Sequence, residues 1–225
     1  MKLYKVNWQT LLVEHCYLDM TDECYFTADY RSYRDSIKRT ILSLKRGHGW
    51  AIAHLARQLT LVLPREWTNA YTFVPMPPSS GSTSPLHSMV RELRLKDTRE
   101  LITQIYDTPA SHNGWRPTPE QRVRLIRLNN LEVEPKPQAV VIIDDVLATG
   151  SHFRAAKMIV RERWPQMRVI GLFIARVCHE PGRGTGRSAQ LAQNRTLPLP
   201  VGVTSPRTHN RTEGRGPQQH HQRDS

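Results

Sequence analysis

Apolar residues along the chain follow two different spacings, and these spacings predict helices and strands in alternation. Helical spacing over 33–46, 50–63, 85–106 and 151–164 predicts four helices, and a shorter helix begins at Thr118 with Pro119 in its first turn. Short apolar runs at 70–74, 139–143 and 169–177 predict buried strands. Strands that alternate with helices are typical of an α/β fold with a mostly parallel central sheet flanked by helices.

The segment from Ala139 to His152 contains the strongest chemical signal in the sequence. A hydrophobic strand ends in Asp144 and Asp145, a short turn follows, and a helix begins near Ser151. Ligands of open α/β sheets bind at the carboxyl ends of the strands, and the amides of a turn that leads into a helix bind anions. Gly150 permits a close backbone approach, and ionised carboxylates accept hydrogen bonds from a vicinal diol. The segment therefore predicts a sugar phosphate site; the alternative is that the two acids only terminate a strand.

The composition separates a tail from the rest of the chain, and it argues against a zinc protein and a membrane protein. After Cys178 the chain is rich in Gly, Pro, Arg, Gln and Thr, which predicts a disordered tail over 180–225. The formal net charge of +12 attracts anions in general, so nucleic acid binding is possible but unsupported. The three cysteines lack ligand or disulfide spacing, so no zinc site, and no other metal site made of protein ligands, is predicted. Without a signal peptide or an apolar span, we expect a cytoplasmic protein with no membrane partner.

The strand and turn resemble the phosphoribosyl pyrophosphate (PRPP) motif of type I phosphoribosyltransferases. In that family a hydrophobic strand is followed by D-D-V-x-[TA]-[TS]-G-x-[ST]. The residues that match are Asp144, Asp145, Val146, Ala148, Thr149 and Gly150, and His152 stands where the family usually has a hydroxyl. The resemblance covers about Cys24 to Val177 and is closest to ComF-like and amidophosphoribosyltransferase-like proteins. It also includes 22–26, 73–79 and 116–120.

The resemblance implies a type I phosphoribosyltransferase fold with an N-terminal helical, hood-like segment over 1–68 and a core over 69–179. It implies that Asp144 and Asp145 hold the ribose hydroxyls and that 148–152 hold the 5′-phosphate. The full PRPP-binding set is Asp144, Asp145, Val146, Leu147, Ala148, Thr149, Gly150, Ser151 and His152. The pyrophosphate loop is Pro75, Met76, Pro77, Pro78 and Ser79. Asp107 to Arg124 corresponds to the flexible catalytic loop, with Arg116 as a catalytic residue beside the two acids.

The implied activity is transfer of the phosphoribosyl group from PRPP, complexed with Mg²⁺, to a small nitrogenous acceptor in nucleobase or nucleotide metabolism. Dimers are usual in this fold, so a homodimer is a possible assembly. Relatives carry charged residues after Val-Pro-x-Pro, whereas this chain has Ser80-Gly81-Ser82-Thr83-Ser84. Without a cation there, the leaving diphosphate depends on Mg²⁺ and backbone donors. The alternative function is therefore a catalytically weak or inactive binding protein of the same fold, with a regulatory role in DNA uptake or defence.

Overall fold

A six-stranded sheet forms the centre of the protein. The computed structural model describes residues 1–7, 16–30, 36–78, 84–106 and 117–177. The predicted tail over 180–225 lies outside these residues. The elements are β1 (Tyr4–Lys5), β2 (Glu23–Tyr30), α1 (Ser36–Lys45), α2 (Gly49–Thr60), α3 (Arg65–Ala70), β3 (Thr72–Pro75), α4 (Pro85–Glu92), β4 (Asp97–Thr98), β5 (Ile102–Gln104), α5 (Pro119–Val123), β6 (Ile126–Leu128), β7 (Val140–Leu147), α6 (Ser151–Arg163) and β8 (Val169–Val177).

The strand order of this sheet is β1-β2-β8-β7-β3-β4, and only β1 is antiparallel to its neighbour. A separate two-stranded antiparallel sheet contains β5 and β6. The apolar residues of β7 and β8 are buried on both faces of the large sheet, as the continuous apolar runs of their sequences require. The predicted α/β architecture with a mostly parallel sheet flanked by helices is confirmed.

The direction of chain progression across the sheet reverses between β3 and β7. From β3 the chain passes through α4 to β4 on one side, whereas from β7 it passes through α6 to β8 on the other. Right-handed crossovers therefore place α4 and α6 on opposite faces of the sheet. Consistent with this, α1 and α2 contact α4, and α5 and β6 contact α6. A reversal of this kind opens a crevice between the carboxyl ends of β3 and β7.

The predicted helix from Pro85 to Tyr106 is wrong beyond its first eight residues. It ends at Glu92, Arg94 adopts a positive φ of 50°, and the chain then forms β4 and β5. The buried side chain of Arg99 donates to both carboxylate oxygens of Asp97 and to the carbonyl oxygens of Glu132 and Pro135. These contacts hold the segment against residues more than thirty positions away, which helical spacing in the sequence cannot reveal.

The first 68 residues contribute strands as well as helices. β2 pairs with β8 over most of its length, and the hydroxyl of Thr27 donates to the carbonyl oxygen of Ile174 at 2.6 Å. Contacts between Cα atoms group 1–183 into one compact unit, so the N-terminal strands and the predicted core belong to the same sheet and the same unit. No helix among the described residues is long and apolar enough to cross a membrane.

Candidate functional site

The crevice begins where β3 and β7 part. Pro75 is the last residue of β3 and lies opposite Ile143, and the next amide, that of Met76, donates to the carbonyl oxygen of Ile143 at 2.8 Å. The nitrogen of Pro75, which has no hydrogen, faces the β4 side, where pairing has already ended at Phe73 and Thr98. Asp144 and Asp145 follow Ile143 directly, so the predicted pyrophosphate loop begins one strand away from the two acids.

The two acids lie on opposite faces of the sheet because successive strand residues alternate. On the α6 face, Oδ2 of Asp144 lies 3.3 Å from Nδ1 of His152. On the α1 face, Oδ2 of Asp145 forms an ion pair of 2.9 Å with Nζ of Lys45, the last residue of α1. The Asp144 and Asp145 side chains are 13% and 20% exposed, so both are largely buried yet open to a ligand. A ligand that contacts both acids would therefore lie across the end of the sheet.

The environments of the two acids shift their pKa values in opposite directions. At Asp144, burial alone would raise the pKa, but the hydrogen bond from His152 and the amide of Asp145, at 2.8 Å, outweigh it and lower the pKa. At Asp145, burial and the neighbouring Asp144 charge raise the pKa despite the Lys45 ammonium. Asp144 is therefore the more stable anion of the pair.

His152 and Arg122 form a hydrogen-bonded group beside Asp144. Nη1 of Arg122 makes a very short contact with Nε2 of His152, and Nε of Arg122 donates to the Ser151 hydroxyl at 2.8 Å. The other ring nitrogen of His152, Nδ1, faces Asp144, so the imidazole lies between the guanidinium and the carboxylate. Burial lowers the pKa of Arg122 to about 10, with Asp144 and Tyr17 opposing the shift, and the side chain is still a cation at pH 7.

The predicted phosphate turn has the geometry of an anion site. Gly150 immediately precedes α6 with a φ of +76° and offers no side-chain cap, and the amide of Ser151, the first of the helix, donates to the Thr149 hydroxyl at 3.4 Å. The Thr149 hydroxyl donates to the Ser151 hydroxyl at 3.2 Å. The guanidinium of Arg122 lies on the same hydroxyl. The turn thus combines helix N-terminal amides, two hydroxyls and one cation, which together favour a phosphate group.

A segment from the N-terminal part of the chain covers the back of this turn. The amide of Tyr17 donates to the carbonyl oxygen of Thr149 at 2.8 Å. Leu18 occupies the space beside Gly150, since a Cβ built on Gly150 would lie 2.6 Å from Cδ2 of Leu18 and 2.7 Å from Cγ. Any other residue at 150 would therefore have to displace Leu18 as well as adopt an unfavourable φ.

Ion pairs, of which only that of Asp22 with Lys157 is fully buried, fasten residues 19–22 to α6. Oδ1 of Asp22 lies 2.5 Å from Nζ of Lys157, and the two side chains are only 1% and 5% exposed. Arg154 links Oδ2 of Asp22, at 3.0 Å, with Oδ2 of Asp19, at 2.7 Å. Such a network has a fixed geometry because a buried charge that loses its partner is costly. The position of α6, and hence of the phosphate turn, is tied to residues 19–22.

The structure brings together most of the predicted site residues. Val146 and Leu147 continue β7 beyond the acids, with Val146 half-buried and Leu147 buried, and Ala148 is exposed at the start of the turn. Met76 is buried, and Pro77 and Pro78 are half-buried. Ser79 and Arg116, with the loop segment 107–116, lie outside the described residues.

Two cations at the site were not among the predicted site residues. Lys45 comes from α1 and Arg122 from α5, where the capping box of Thr118 and Gln121 fixes the helix start. The predicted start of a short helix at Thr118 is therefore confirmed, with Thr118 as its N-cap. Arg122 contacts the phosphate turn, whereas its place in the sequence had suggested the loop over the diphosphate. Lys45 lies one hundred positions before Asp145, so no local spacing could have joined them.

Among the described residues, no group of three or more His, Cys, Asp or Glu side chains is arranged to hold a metal ion. The donors present fit Mg²⁺ only as the companion of a phosphorylated ligand, because this ion keeps several waters and binds mainly to phosphate oxygens. A scan against models of protein families found no match to this chain, and a search of curated proteins found no matching relative.

Proposed function

We propose that this protein is a phosphoribosyltransferase of the type I fold that binds PRPP with Mg²⁺ in the crevice between β3 and β7. One observation carries the proposal. Two acids and an anion-binding turn meet at the carboxyl edge of a parallel sheet, at the point where the strand order reverses. A ribose that carries a 5′-phosphate supplies vicinal hydroxyls for the acids and an anion for the turn.

The reaction we propose is a substitution at ribose C1. The lone pair of a nitrogen nucleophile forms the new bond to C1, and the bond from C1 to the diphosphate oxygen breaks with its electron pair leaving on diphosphate. The nucleophile releases a proton to the departing diphosphate or to solvent. Catalysis of such a step rests on positioning and on electrostatic stabilisation of the charges that develop. Mg²⁺ arrives with the diphosphate and neutralises part of its charge.

Each side chain of the site has a role in this scheme. Asp144 and Asp145 accept hydrogen bonds from the ribose hydroxyls, and their negative charge favours the positive charge that develops on the sugar. The 5′-phosphate binds to the amides at the start of α6, to the hydroxyls of Thr149 and Ser151, and to the guanidinium of Arg122. The imidazole of His152 orients Asp144 through Nδ1.

A second function is supported by the sequence of the loop after β3. No Lys or Arg occurs between Pro75 and Val90, so this loop offers diphosphate no cation of its own. A protein that binds PRPP without turning it over, with a regulatory role, is consistent with that loop. Diphosphate release separates the two functions, because only the enzyme produces it.

The test is calorimetry of Mg²⁺ and PRPP with the purified protein. The double variant Asp144→Asn/Asp145→Asn should bind PRPP at least about tenfold more weakly, because each lost charge-assisted hydrogen bond is worth about 1.5–3 kcal/mol. Glu162→Gln is the matched control, since it removes an exposed carboxylate near the far end of α6. Its affinity should equal that of the wild type.

A second arm measures diphosphate release in the presence of ammonia or pooled nucleobases. Release that the double variant loses supports the transferase. Binding without release supports the regulatory protein. If the wild type does not bind PRPP, or if the double variant binds it as tightly as the wild type does, both proposals are wrong.

A further inference from the structure

We propose that Lys45 supplies the cation for the diphosphate group of the ligand, in place of a cation on the loop after β3. This inference rests on the function proposed above and assigns one of its subsites. Lys45 belongs to α1, an element that the sequence connects neither to the acids nor to the loop. Its place in the folded protein gives it access to both.

The position of Lys45 follows from one ion pair and from the close approach of Gly47 to Pro85. Its Nζ lies 2.9 Å from Oδ2 of Asp145, which places the ammonium at the carboxyl end of β7 on the α1 face. Two residues later, a Cβ built on Gly47 would lie 3.9 Å from Cγ of Pro85. Pro85 is the first residue of α4, immediately after the predicted pyrophosphate loop and its serine-rich continuation. The end of α1 therefore spans the distance between the acid and the place where that loop enters α4.

The other cation of the site, Arg122, lies on the opposite face of the sheet from Lys45. The cation of Arg122 lies on the α6 face, against the phosphate turn, and so cannot serve a group on the α1 face. His87 is the one basic side chain in the first turn of α4, and its Nδ1 lies 3.2 Å from Oε1 of Glu100. Lys45 is thus the cation that the described structure places at the opening between β7 and the start of α4. The Lys45 side chain is 54% exposed, so its ammonium can contact a ligand while it still faces Asp145.

The electrostatic setting agrees with this role. Burial alone would lower the pKa of Lys45, but Asp145, Asp144 and Tyr30 outweigh it and raise the pKa, so the side chain is a cation over the physiological range. When the hydroxyls of a ribose bind Asp145, the ammonium is shared between the carboxylate and the diphosphate oxygens. In the transfer step it stabilises the electron pair that leaves C1 with the diphosphate.

The competing explanation is that Lys45 only neutralises Asp145. The two explanations differ in the ligand that is affected. A neutralising lysine affects ribose 5-phosphate and PRPP alike, because both ligands contact Asp145. A lysine that binds diphosphate affects PRPP and inorganic diphosphate but not ribose 5-phosphate.

The experiment measures dissociation constants of PRPP, inorganic diphosphate and ribose 5-phosphate, each with Mg²⁺, for the wild type and Lys45→Met. We expect Lys45→Met to weaken PRPP and diphosphate by about 10- to 100-fold, which corresponds to one charge-assisted hydrogen bond. Ribose 5-phosphate should change by less than about threefold. Arg46→Met is the matched control, because it removes the same charge from the next, exposed residue, and it should leave all three ligands unaffected.

A measurement on the wild type covers the case in which Lys45→Met does not fold. Mg²⁺ with diphosphate should slow the reaction of Lys45 with an amine-reactive reagent several-fold, and the exposed Lys96 should react at an unchanged rate. The assignment of Lys45 is wrong if Lys45→Met weakens the binding of PRPP and of ribose 5-phosphate equally, or weakens neither. It is also wrong if diphosphate does not slow the reaction of Lys45. If the wild type binds PRPP in those cases, the proposed function stands without it; if the wild type binds none of the ligands, the proposed function itself is wrong.

Discussion

Replacing three glycines by alanine, one at a time, tests the geometry of the phosphate turn. Gly150 has a φ of +76°, and a Cβ there would overlap Leu18. Gly47 has a φ of +74°, and a Cβ there would make only an ordinary van der Waals contact with Pro85. Gly49 has neither constraint. The three positions therefore separate backbone strain from steric overlap. Gly49 begins α2, where alanine has the higher helix propensity.

The expected free energies of unfolding follow from these contacts. Gly49→Ala should be neutral or stabilise the protein by up to about 1 kcal/mol. Gly47→Ala should destabilise it by about 1–2 kcal/mol, the cost of a Cβ in the left-handed region. Gly150→Ala adds an overlap with Cδ2 and Cγ of Leu18, at 2.6 and 2.7 Å, so the whole side chain must move. Overpacking of that kind costs about 1–3 kcal/mol more, which gives a total of about 2–5 kcal/mol.

The assay is urea-induced unfolding of each variant, together with Gly150→Ala in a Leu18→Ala background. Without the Leu18 side chain, Gly150→Ala should cost only about 1–2 kcal/mol, so the double-mutant cycle should give a coupling of about 1–3 kcal/mol. A coupling near zero would show that Leu18 does not cover the turn. Equal losses at positions 47 and 150 would lead to the same conclusion.

Three further predictions concern groups away from the turn. Lys157→Met should lower the free energy of unfolding, measured in urea, by about 3 kcal/mol because it leaves Asp22 buried with one partner fewer. The same substitution should cost much less in an Asp22→Asn background. The hydrogen bond from Arg168 lowers the pKa of Glu23, so the ionised Glu23 contributes fully to stability above about pH 4.5. That contribution is lost as the pH falls through the pKa of Glu23 in the folded protein. The difference in free energy of unfolding between the wild type and Glu23→Gln should therefore shrink between about pH 7 and about pH 3. Burial raises the pKa of Cys24, so an alkylating reagent followed by mass spectrometry should modify its thiol only after unfolding.

The parts of the fold that the sequence predicts well are those whose causes are local. The run from Val140 to Arg163 contains a continuous apolar strand, a glycine that permits a positive φ, and an amphipathic helix, and all three occur in the structure. The capping box at Thr118 is also local, since its hydrogen bonds join residues three positions apart. Rules that use only neighbouring residues were therefore sufficient to predict the strand that carries the two acids, the turn after it and the helix that follows.

The parts that the sequence did not predict depend on distant partners. β2 has no continuous apolar run, and it is a strand because β8 pairs with it across more than 140 positions. Lys45 occupies a polar position of a predicted helix, and Arg122 was expected either beside the diphosphate loop or on a solvated helix face; only the fold brings them to the acids and the turn. In each case tertiary contacts decide the structure. Helical spacing or charge alone could not have identified these residues.

The lengths of the strands have a consequence for solubility. The outer strands β1 and β4 are two residues long, whereas β8 has nine residues and lies between β2 and β7. Such short outer strands offer few unpaired amides to a neighbouring molecule. A chain cut back to 69–179 would lose β2 and expose one full side of β8, an almost entirely apolar strand, to other copies. β2 thus protects β8 against strand pairing between copies of the protein.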